Sequence, residues 1–92
     1  MYKIFFSEKA KVGLIKLKKE SPQLIKKLEK LLIEIEHHPT TGTGQVVQLK
    51  YLGPNTYSRR INKKHRIVYK VLNDIVELGS SFAYDTNIES IN

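Results

Sequence analysis

The spacing of hydrophobic residues along the chain changes once, between residues 39 and 46. Before this segment, apolar residues recur at steps of three and four, which is the period of a helix with one buried face. After it, apolar and polar residues largely alternate, which is typical of strands that bury one face. The pattern therefore predicts helices in the first half of the chain and a sheet in the second half.

Two helices are predicted after a short strand at residues 2–6. The first helix begins at Ser7, and Ser21 and Pro22 are favoured at the N-cap and the first position of a second helix. Pro39 disfavours a helical residue before it and ends the second helix. Because almost nothing separates the two helices, they are expected to form an antiparallel hairpin. The apolar stripe of the second helix comprises Leu24, Ile25, Leu28, Leu31, Leu32 and Ile35.

Four strands are predicted after the helices, at residues 46–52, 57–61, 65–72 and 75–82. Asn73 and Asp74 fit a two-residue hairpin turn between the last two strands. The order β-α-α-β-β-β-β predicts an α+β fold, with a two-helix hairpin packed on one face of a mainly antiparallel, twisted sheet. The other face of the sheet would be open to water or to a ligand.

One domain is expected over residues 1–85, followed by a polar tail at residues 86–92, because a chain of this length holds a single modest core. The chain has no cysteine, which excludes disulfides and cysteine-ligated zinc. No apolar run approaches the roughly 20 residues needed to span a bilayer, and no signal peptide is recognised. A cytoplasmic protein with no membrane association is therefore expected.

The strand with the sequence RIVYKV, residues 66–71, assigns its side chains to two faces. Ile67, Tyr69 and Val71 share one face and are expected to pack against the helices. Arg66 and Lys70 are expected on the open face.

In the preceding strand, the face that each side chain occupies depends on where the hairpin turn lies. If the turn is centred on residues 63 and 64, Ile61 lies opposite Arg66, so Arg59 shares the face of Arg66 and Arg60 does not. A bulge would reverse that assignment.

The charge of the chain is +7, and its distribution is uneven. Residues 37–73 contain no Asp or Glu, although the acids elsewhere are mixed with lysines. A field of one sign attracts polyanions, so nucleic acid, an acidic protein segment and anionic lipid are all candidates. The alternative is that lysines only keep the surface soluble. The basic residues of the acid-free segment are Lys50, Arg59, Arg60, Lys63, Lys64, Arg66 and Lys70.

Aromatic residues lie close in sequence to this basic segment, namely Tyr51, Tyr57, Phe82 and Tyr84. Arginine forks and lysine charges for phosphates, with aromatic rings for bases, suit single-stranded RNA.

Three histidines could take part in chemistry. His37 and His38 could be metal ligands, but no cysteine or nearby acid completes a site, and a histidine at a helix C-terminus is favoured by the helix dipole. His65 is equally compatible with a turn and with a titrating group.

An ordered set of motifs closely resembles the YoeB/Txe branch of the RelE-like bacterial toxins. The match runs from residue 2 to about residue 85. The motif residues are His38, Pro39, Gly42, Gly44, Leu49, Lys50, Ser58, Arg59, Arg60, Ile61, His65, Arg66, Val68 and Tyr69.

The resemblance implies an endoribonuclease that cleaves mRNA in the ribosomal A site, by attack of a ribose 2′-OH on the adjacent phosphate. Such a reaction needs a base for the hydroxyl, cations for the phosphorane and an acid for the leaving oxygen. The resemblance also implies the RelE-like fold, no cofactor or metal, and an acidic antitoxin of the YefM/Axe kind that wraps a tail over the basic face. A homodimer or a toxin–antitoxin hetero-oligomer is expected.

The functional residues of the family are assigned to this sequence position by position. Arg66 falls on the arginine that stabilises the phosphate, and Lys50 and Arg60 fall on basic RNA-contacting positions. Val47 stands where the family has a glutamate, the proposed base, and Tyr84 stands where an ungapped match has the proposed acid, a histidine. The final tyrosine of the family then falls on Asp85, whereas a one-residue gap places Tyr84 there. Further RNA-binding candidates are Arg59, Lys63, Lys64, His65 and Lys70.

Three hypotheses about activity stay open because the glutamate and histidine are replaced. In the first, the protein cleaves RNA with a smaller set of residues, as in the wider RelE group: Lys50, Arg60, Arg66 and Tyr84. In the second its activity is weak, and in the third it binds the ribosome or an antitoxin without cutting. A general basic protein that binds DNA and RNA alike, with a steep salt dependence, is a further alternative.

Overall fold

Two helices pack against one face of a five-stranded sheet. The structure, a computed structural model, describes residues 1–42 and 46–79, and every structural statement below concerns these residues. The elements are β1 (Lys3–Phe6), α1 (Glu8–Glu20), α2 (Gln23–His37), β2 (Val47–Gln48), a short 3₁₀ helix (Lys50–Leu52), β3 (Thr56–Arg60), β4 (Arg66–Leu72) and β5 (Ile75–Leu78).

The sheet has the strand order β1-β5-β4-β3-β2. β1 is parallel to β5, and every other neighbouring pair is antiparallel. The predicted α+β class and mainly antiparallel sheet are therefore confirmed. In the described residues, no helix has the length and apolar character that a bilayer crossing requires.

The helical hairpin forms where the sequence predicts it. The Ser7 hydroxyl caps α1 by accepting a hydrogen bond from the backbone N–H of Ala10, at 3.1 Å. Ser21 and Pro22 alone connect the helices, and the backbone of Pro22 is already helical, with φ −58° and ψ −26°. Pro22, and not the predicted Ser21, is therefore the N-cap residue of α2, where its missing N–H has no helical partner to lose.

The core lies between α2 and the sheet. Ile67 and Tyr69 are at most 1% exposed, and Val71 packs against them, so the prediction that these three residues face the helices is confirmed. Burial of a large apolar side chain stabilises the folded state by about 1.5–3 kcal/mol. The buried core comprises Ala10, Leu17, Leu28, Leu31, Ile35, Ile61, Ile67, Tyr69, Val76 and Leu78.

The predicted strand at residues 46–52 is wrong beyond its first residues. β2 ends at Gln48, and Leu49 is fully buried with a backbone that leaves the strand conformation. The chain then forms the 3₁₀ helix and reverses through Gly53 and Asn55, both with positive φ. Leu49 is therefore buried at a corner of the chain, whereas Leu52 is 50% exposed. The last predicted strand is found at Ile75–Leu78, and its residues 80–82 lie outside the described residues.

The β4–β5 turn is confirmed, because Leu72 pairs with Ile75 across Asn73 and Asp74. The β3–β4 turn differs by one residue from the assumption made above: Arg60 pairs with Arg66, and the loop has three residues, 62–64.

The side chain of Asn62 stabilises this three-residue loop. Its Oδ1 atom accepts hydrogen bonds from the backbone N–H groups of Lys64 and His65, at 2.9 and 2.7 Å. The predicted assignment of faces in β3 is therefore wrong. Arg60 shares the face of Arg66, and Arg59 points toward the helices.

Arg59 is fully buried and joins β3 to the end of α2. Its guanidinium donates to Glu34 Oε1 at 3.2 Å, to the carbonyl oxygens of His38 and Thr41 at 2.9 and 2.8 Å, and to Tyr69 Oη at 3.3 Å. His38 is the C-cap residue of α2, and its backbone N–H donates to the carbonyl oxygen of Glu34. Its own carbonyl accepts from Arg59 at the helix end, where the last carbonyls lack helical partners and the helix dipole favours a cation. Arg59 thus fixes the helix end and the start of the loop toward β2.

Gly42 allows the loop to approach this ion pair. Its φ is +115°, and a Cβ atom built there would overlap the Glu34 carboxylate and lie 3.2 Å from Arg59 Nη1. Both the backbone angle and the space favour glycine at this position.

Tyr69 completes the buried network. Its hydroxyl donates to the carbonyl oxygen of Pro39 and accepts from Arg59. Burial raises the pKa of the Tyr69 phenol above its ordinary value of 10.0, while the charge of Arg59 opposes that shift.

Replacement of Arg59 is expected to destabilise the fold strongly. Arg59→Ala removes one donor from the Glu34 carboxylate and from the carbonyl oxygens of His38 and Thr41, so we expect the free energy of unfolding to fall by about 3–5 kcal/mol. Urea denaturation followed by circular dichroism measures this loss. Lys63→Ala, in an exposed loop, is the control and should change stability by less than about 0.5 kcal/mol. Equal stability of the two variants would contradict the role of Arg59.

The contribution of Tyr69 is expected to depend on pH. Because its pKa is higher in the folded state than in the unfolded chain, its stabilisation is complete below the unfolded value of 10.0 and is lost as pH rises through the folded pKa. The difference in unfolding free energy between the native protein and Tyr69→Phe should be constant at lower pH, at about 1 kcal/mol, and shrink above pH 10.0. The two proteins differ only in this hydroxyl, so a difference that stays constant to alkaline pH would refute the assignment.

Candidate nucleic-acid interface

The face of the sheet opposite the helices is built around a row of three residues. Ser58 pairs with Val47 on one side and with Val68 on the other. Paired residues in adjacent strands project to the same face, so the row places a hydroxyl between two apolar side chains. We call this side of the sheet the open face.

Two arginines lie at one end of the row, next to the β3–β4 turn. Arg60 and Arg66 pair across the two strands. Arg66 is 2% exposed, and its Nε donates a hydrogen bond to the buried Ser58 hydroxyl at 3.0 Å. Ser58 therefore fixes the orientation of the Arg66 guanidinium plane, since a planar fork held at Nε cannot rotate freely.

More positive charge lies in the adjoining turn. Lys63 and Lys64 are exposed in the three-residue loop, and His65 is half-buried with its Nδ1 atom 3.2 Å from Asn62 Oδ1. These residues and the two arginines form a group at one end of the open face, which we call the turn group.

Lys70 and Lys50 lie toward the opposite end. Lys70 pairs with Thr56, and Lys50 follows Leu49, whose N–H donates to the carbonyl oxygen of Thr56 at 2.8 Å. Arg66 and Lys70 are four residues apart on β4, which is about 13 Å at the rise of a strand. The predicted basic residues thus divide into two groups along the strands.

A cavity of ≈ 200 Å³ lies at the Lys70 end of the open face. Glu77 of β5, which pairs with Lys70, is part of its wall. The other residues that line it are Leu52, Thr56, Val68, Tyr69 and Gly79, and the side chain of Tyr69 itself points to the helix side of the sheet.

Several predicted site residues do not lie on the open face. Arg59 is buried beneath the end of α2, so its position does not fit the predicted contact with RNA. Tyr57 stacks on Tyr69 on the helix side, with ring centroids 6.2 Å apart. Tyr51 is 43% exposed on the 3₁₀ helix. Phe82 and Tyr84 lie outside the described residues.

The two adjacent histidines have structural positions. His37 is in the last turn of α2, and the carbonyl of His38 accepts from Arg59. Within residues 1–42 and 46–79, no cluster of three or more His, Cys, Asp or Glu side chains could hold a metal ion.

The chemistry available on the described part of the open face is mostly cationic. The turn group can neutralise phosphate charge, and arginine can do so with two parallel hydrogen bonds. Val47, which the resemblance described above places at a glutamate position, has an apolar side chain beside Ser58. A proton acceptor for a ribose hydroxyl would therefore have to come from another position.

Two open-face residues were missed by sequence reasoning. Ser58 had no assigned role, because the assumed β3–β4 turn differed by one residue from the observed turn. With the assumed turn, Ser58 and Arg66 would have lain on opposite faces of the sheet. Glu77 could have been found, because the predicted turn at Asn73 and Asp74 already sets it opposite Lys70.

Comparisons with known proteins agree with this geometry. A family model described as a YoeB-like toxin of bacterial type II toxin-antitoxin systems matches residues 6–84. Toxin YoeB of Synechocystis sp. is 30% identical over 83 residues, which cover 89% of this chain and 96% of that protein.

Two solved structures are similar over nearly the whole chain. The YoeB dimer from Staphylococcus aureus has a TM-score of 0.80 and 30% identity, covering 90% of this chain and 97% of that chain. The YoeB-YefM complex from Staphylococcus aureus has a TM-score of 0.77 and 30% identity, covering 91% and 98% respectively.

Proposed function

This chain belongs to the family of YoeB-like toxins of bacterial type II toxin–antitoxin systems, and we propose that it is a ribosome-dependent mRNA endoribonuclease acting in the cytoplasm. The observation that carries the proposal is the pairing of Arg66 with Arg60 on the open face, next to a turn that adds two lysines and contains no acid. Such an arrangement favours a phosphate of RNA over a neutral substrate.

The proposed reaction is attack by a ribose 2′-oxygen on the adjacent phosphorus. The new O2′–P bond forms while the P–O5′ bond breaks, which leaves a 2′,3′-cyclic phosphate and a 5′-hydroxyl. The proton of the 2′-hydroxyl goes to a base, and the 5′-oxygen takes up a proton from an acid. Negative charge accumulates on the non-bridging oxygens in the transition state, and preorganised cations there lower the barrier.

Arg66 is the proposed phosphate-stabilising residue. Its hydrogen bond to Ser58 supports this role, because a guanidinium held before the reaction needs no reorganisation as charge develops. Arg60 pairs with Arg66 and is proposed to contact the same phosphate or its neighbour. Lys50, at the other end of the face, is proposed to contact RNA farther along the strand.

Tyr84 is proposed as the residue that moves a proton. A free tyrosine has a pKa near 10, so it needs neighbouring cations that favour its ionised form to act at neutral pH. Its role comes from the resemblance alone, since Tyr84 lies outside the described residues.

The proposed partners are the ribosome with its mRNA and an acidic antitoxin. The similar structure from Staphylococcus aureus is a YoeB-YefM complex, and the positive open face of this chain would attract an acidic segment of such an antitoxin. A second proposed assembly is a homodimer, as in the YoeB dimer of the same organism.

A second candidate function is binding without cleavage. Val47 favours it, because an apolar side chain beside Ser58 cannot take the proton of a 2′-hydroxyl. In that case the protein would bind the ribosome or an antitoxin through the same cations.

Cleavage by the protein is tested by inducing it alone and mapping the 5′ ends of cellular mRNA. We expect new ends inside reading frames, and we expect Arg66→Gln to reduce their number by about 100-fold or more, the usual effect of removing one oxyanion donor, while ribosome binding persists. Lys27→Gln, exposed on α2, removes the same charge and is the matched control. Absence of cuts with folded protein present would leave binding as the function.

Restoring a carboxylate at position 47 is expected to accelerate cleavage. Val47→Glu places a base beside Ser58 on the open face, and general-base catalysis contributes about 100- to 10,000-fold. Single-turnover cleavage of mRNA on purified ribosomes measures the rate. Val47→Gln has a similar size but no basic oxygen, and it separates the effect of the base from that of polarity. An unchanged rate for a folded Val47→Glu variant would show that the base acts from elsewhere.

A further inference from the structure

Lys70 and Glu77 form an opposed pair on the open face. They are directly paired across β4 and β5, and the turn at Asn73 and Asp74 fixes this register. Both side chains are half-buried, so each is held near the sheet rather than extended into solvent. The pair therefore places an ammonium group and a carboxylate side by side on one surface.

The two opposite charges do not neutralise each other by direct contact. In the part of the chain that the structure describes, the salt bridges shown are Lys11 with Glu8 and Arg59 with Glu34, and neither Lys70 nor Glu77 takes part in one. Both side chains instead border the cavity of ≈ 200 Å³. The cavity thus presents an unused hydrogen-bond donor beside an unused acceptor.

The rest of the cavity is suited to a flat ring. Leu52 and Val68 supply apolar surface, and the Thr56 hydroxyl is already used by the carbonyl of Pro54, at 3.3 Å. A site of this composition, apolar with a few polar groups at one edge, is typical of pockets that orient a small planar group.

We propose that this cavity binds the base of a guanine nucleotide in the RNA substrate, read on its Watson–Crick edge by Lys70 and Glu77. The edge of guanine carries the O6 acceptor followed by two donors, N1–H and N2–H₂. Lys70 donates to O6, and both carboxylate oxygens of Glu77 accept from the donors. The order of acceptor and donors on the base matches the order of ammonium and carboxylate on the sheet.

The other bases fit this edge less well. Adenine, turned over, accepts from Lys70 at N1 but offers Glu77 the N6 amino group alone, so the contact of both carboxylate oxygens with N1–H and N2–H₂ is lost. Cytosine likewise offers Glu77 its N4 amino group alone, and uracil offers a single N–H between two carbonyls. Exposed bases of single-stranded RNA are commonly read on this edge, and a bidentate contact is worth about 5- to 150-fold in discrimination.

The separation between the cavity and the two arginines of the turn group is suited to one substrate nucleotide. Val68 lies between Lys70 and Arg66 on the same face of β4. A nucleotide with its base in the cavity can therefore direct its backbone toward the phosphate-binding arginines. The assignment of this base to an mRNA substrate rests on the proposed function, and it adds a sequence preference at one fixed position beside the cut.

Binding is tested with short RNA oligonucleotides whose 2′-hydroxyls are methylated, so that the nucleophile is blocked and no cleavage occurs. One central position is guanine, inosine or adenine, and inosine lacks only the N2 amino group. Fluorescence anisotropy with the whole protein should rank guanine first, inosine second and adenine last. Glu77→Gln, whose amide can accept from only one donor at a time, should remove about 5- to 150-fold of the guanine preference. Lys70→Ala should weaken guanine binding and bring it closer to adenine.

Glu29→Gln is the matched control, because it removes one exposed carboxylate from α2 and should leave the ranking unchanged. Equal affinity for guanine and adenine, a preference that persists in Glu77→Gln, or no binding of the guanine oligonucleotide would each overturn the proposal.

Cleavage maps separate this proposal from the proposed function. Guanine should be enriched at one position relative to the cut in the native protein and lose its enrichment in Glu77→Gln, while cutting continues. Cuts without a guanine preference refute the base site alone. A guanine preference in binding without cuts refutes the nuclease function and retains the base site.

Discussion

The hydrogen bonds of the buried Arg59 guanidinium hold together the parts of the molecule on which the open face depends. A charge inside a protein is tolerated when it is paired and its donors are used, and Glu34 with two loop carbonyls meets this need. The same contacts cap α2 and hold the backbone of residues 38–42 against the sheet. β2 pairs with β3, so Val47 lies beside Ser58 on the other face of the strand that carries Arg59.

Much of the fold could be predicted from the sequence, because the relevant signals are local. The helical stripe, the Ser7 cap and the turn at Asn73 and Asp74 depend on neighbours within a few residues. The β3–β4 register could not be predicted in this way, since it depends on whether Asn62 bonds ahead to two backbone N–H groups. A shift of one residue moves every side chain to the other face, so the assumed turn gave Arg59, and not Arg60, the face of Arg66.

The candidate site shows the same limit. Its positive charge was evident from the acid-free segment, but the division into a turn group and a Lys70 end required the strand pairing. Glu77 is an example, because a single acidic residue in the last strand does not indicate a site until its pairing with Lys70 is known. In the amino-acid sequence, the adjacent residues Arg59 and Arg60 cannot be distinguished. In the structure Arg59 is a core residue and Arg60 lies on the open face.

The parallel pairing of β1 with β5 has a consequence for how the protein is made. Residues 3–6 take their sheet partners from residues 75–78, so the contact order is high and this pairing closes a loop of most of the chain. During synthesis the helical hairpin can form early, whereas β1 waits until β5 has left the ribosome. Val76 and Leu78, which complete the buried side of the sheet, arrive at the same late stage. A protein with this topology thus acquires its finished sheet only after β5 has been translated, so no part of the sheet that includes β1 can form while the helices are being made.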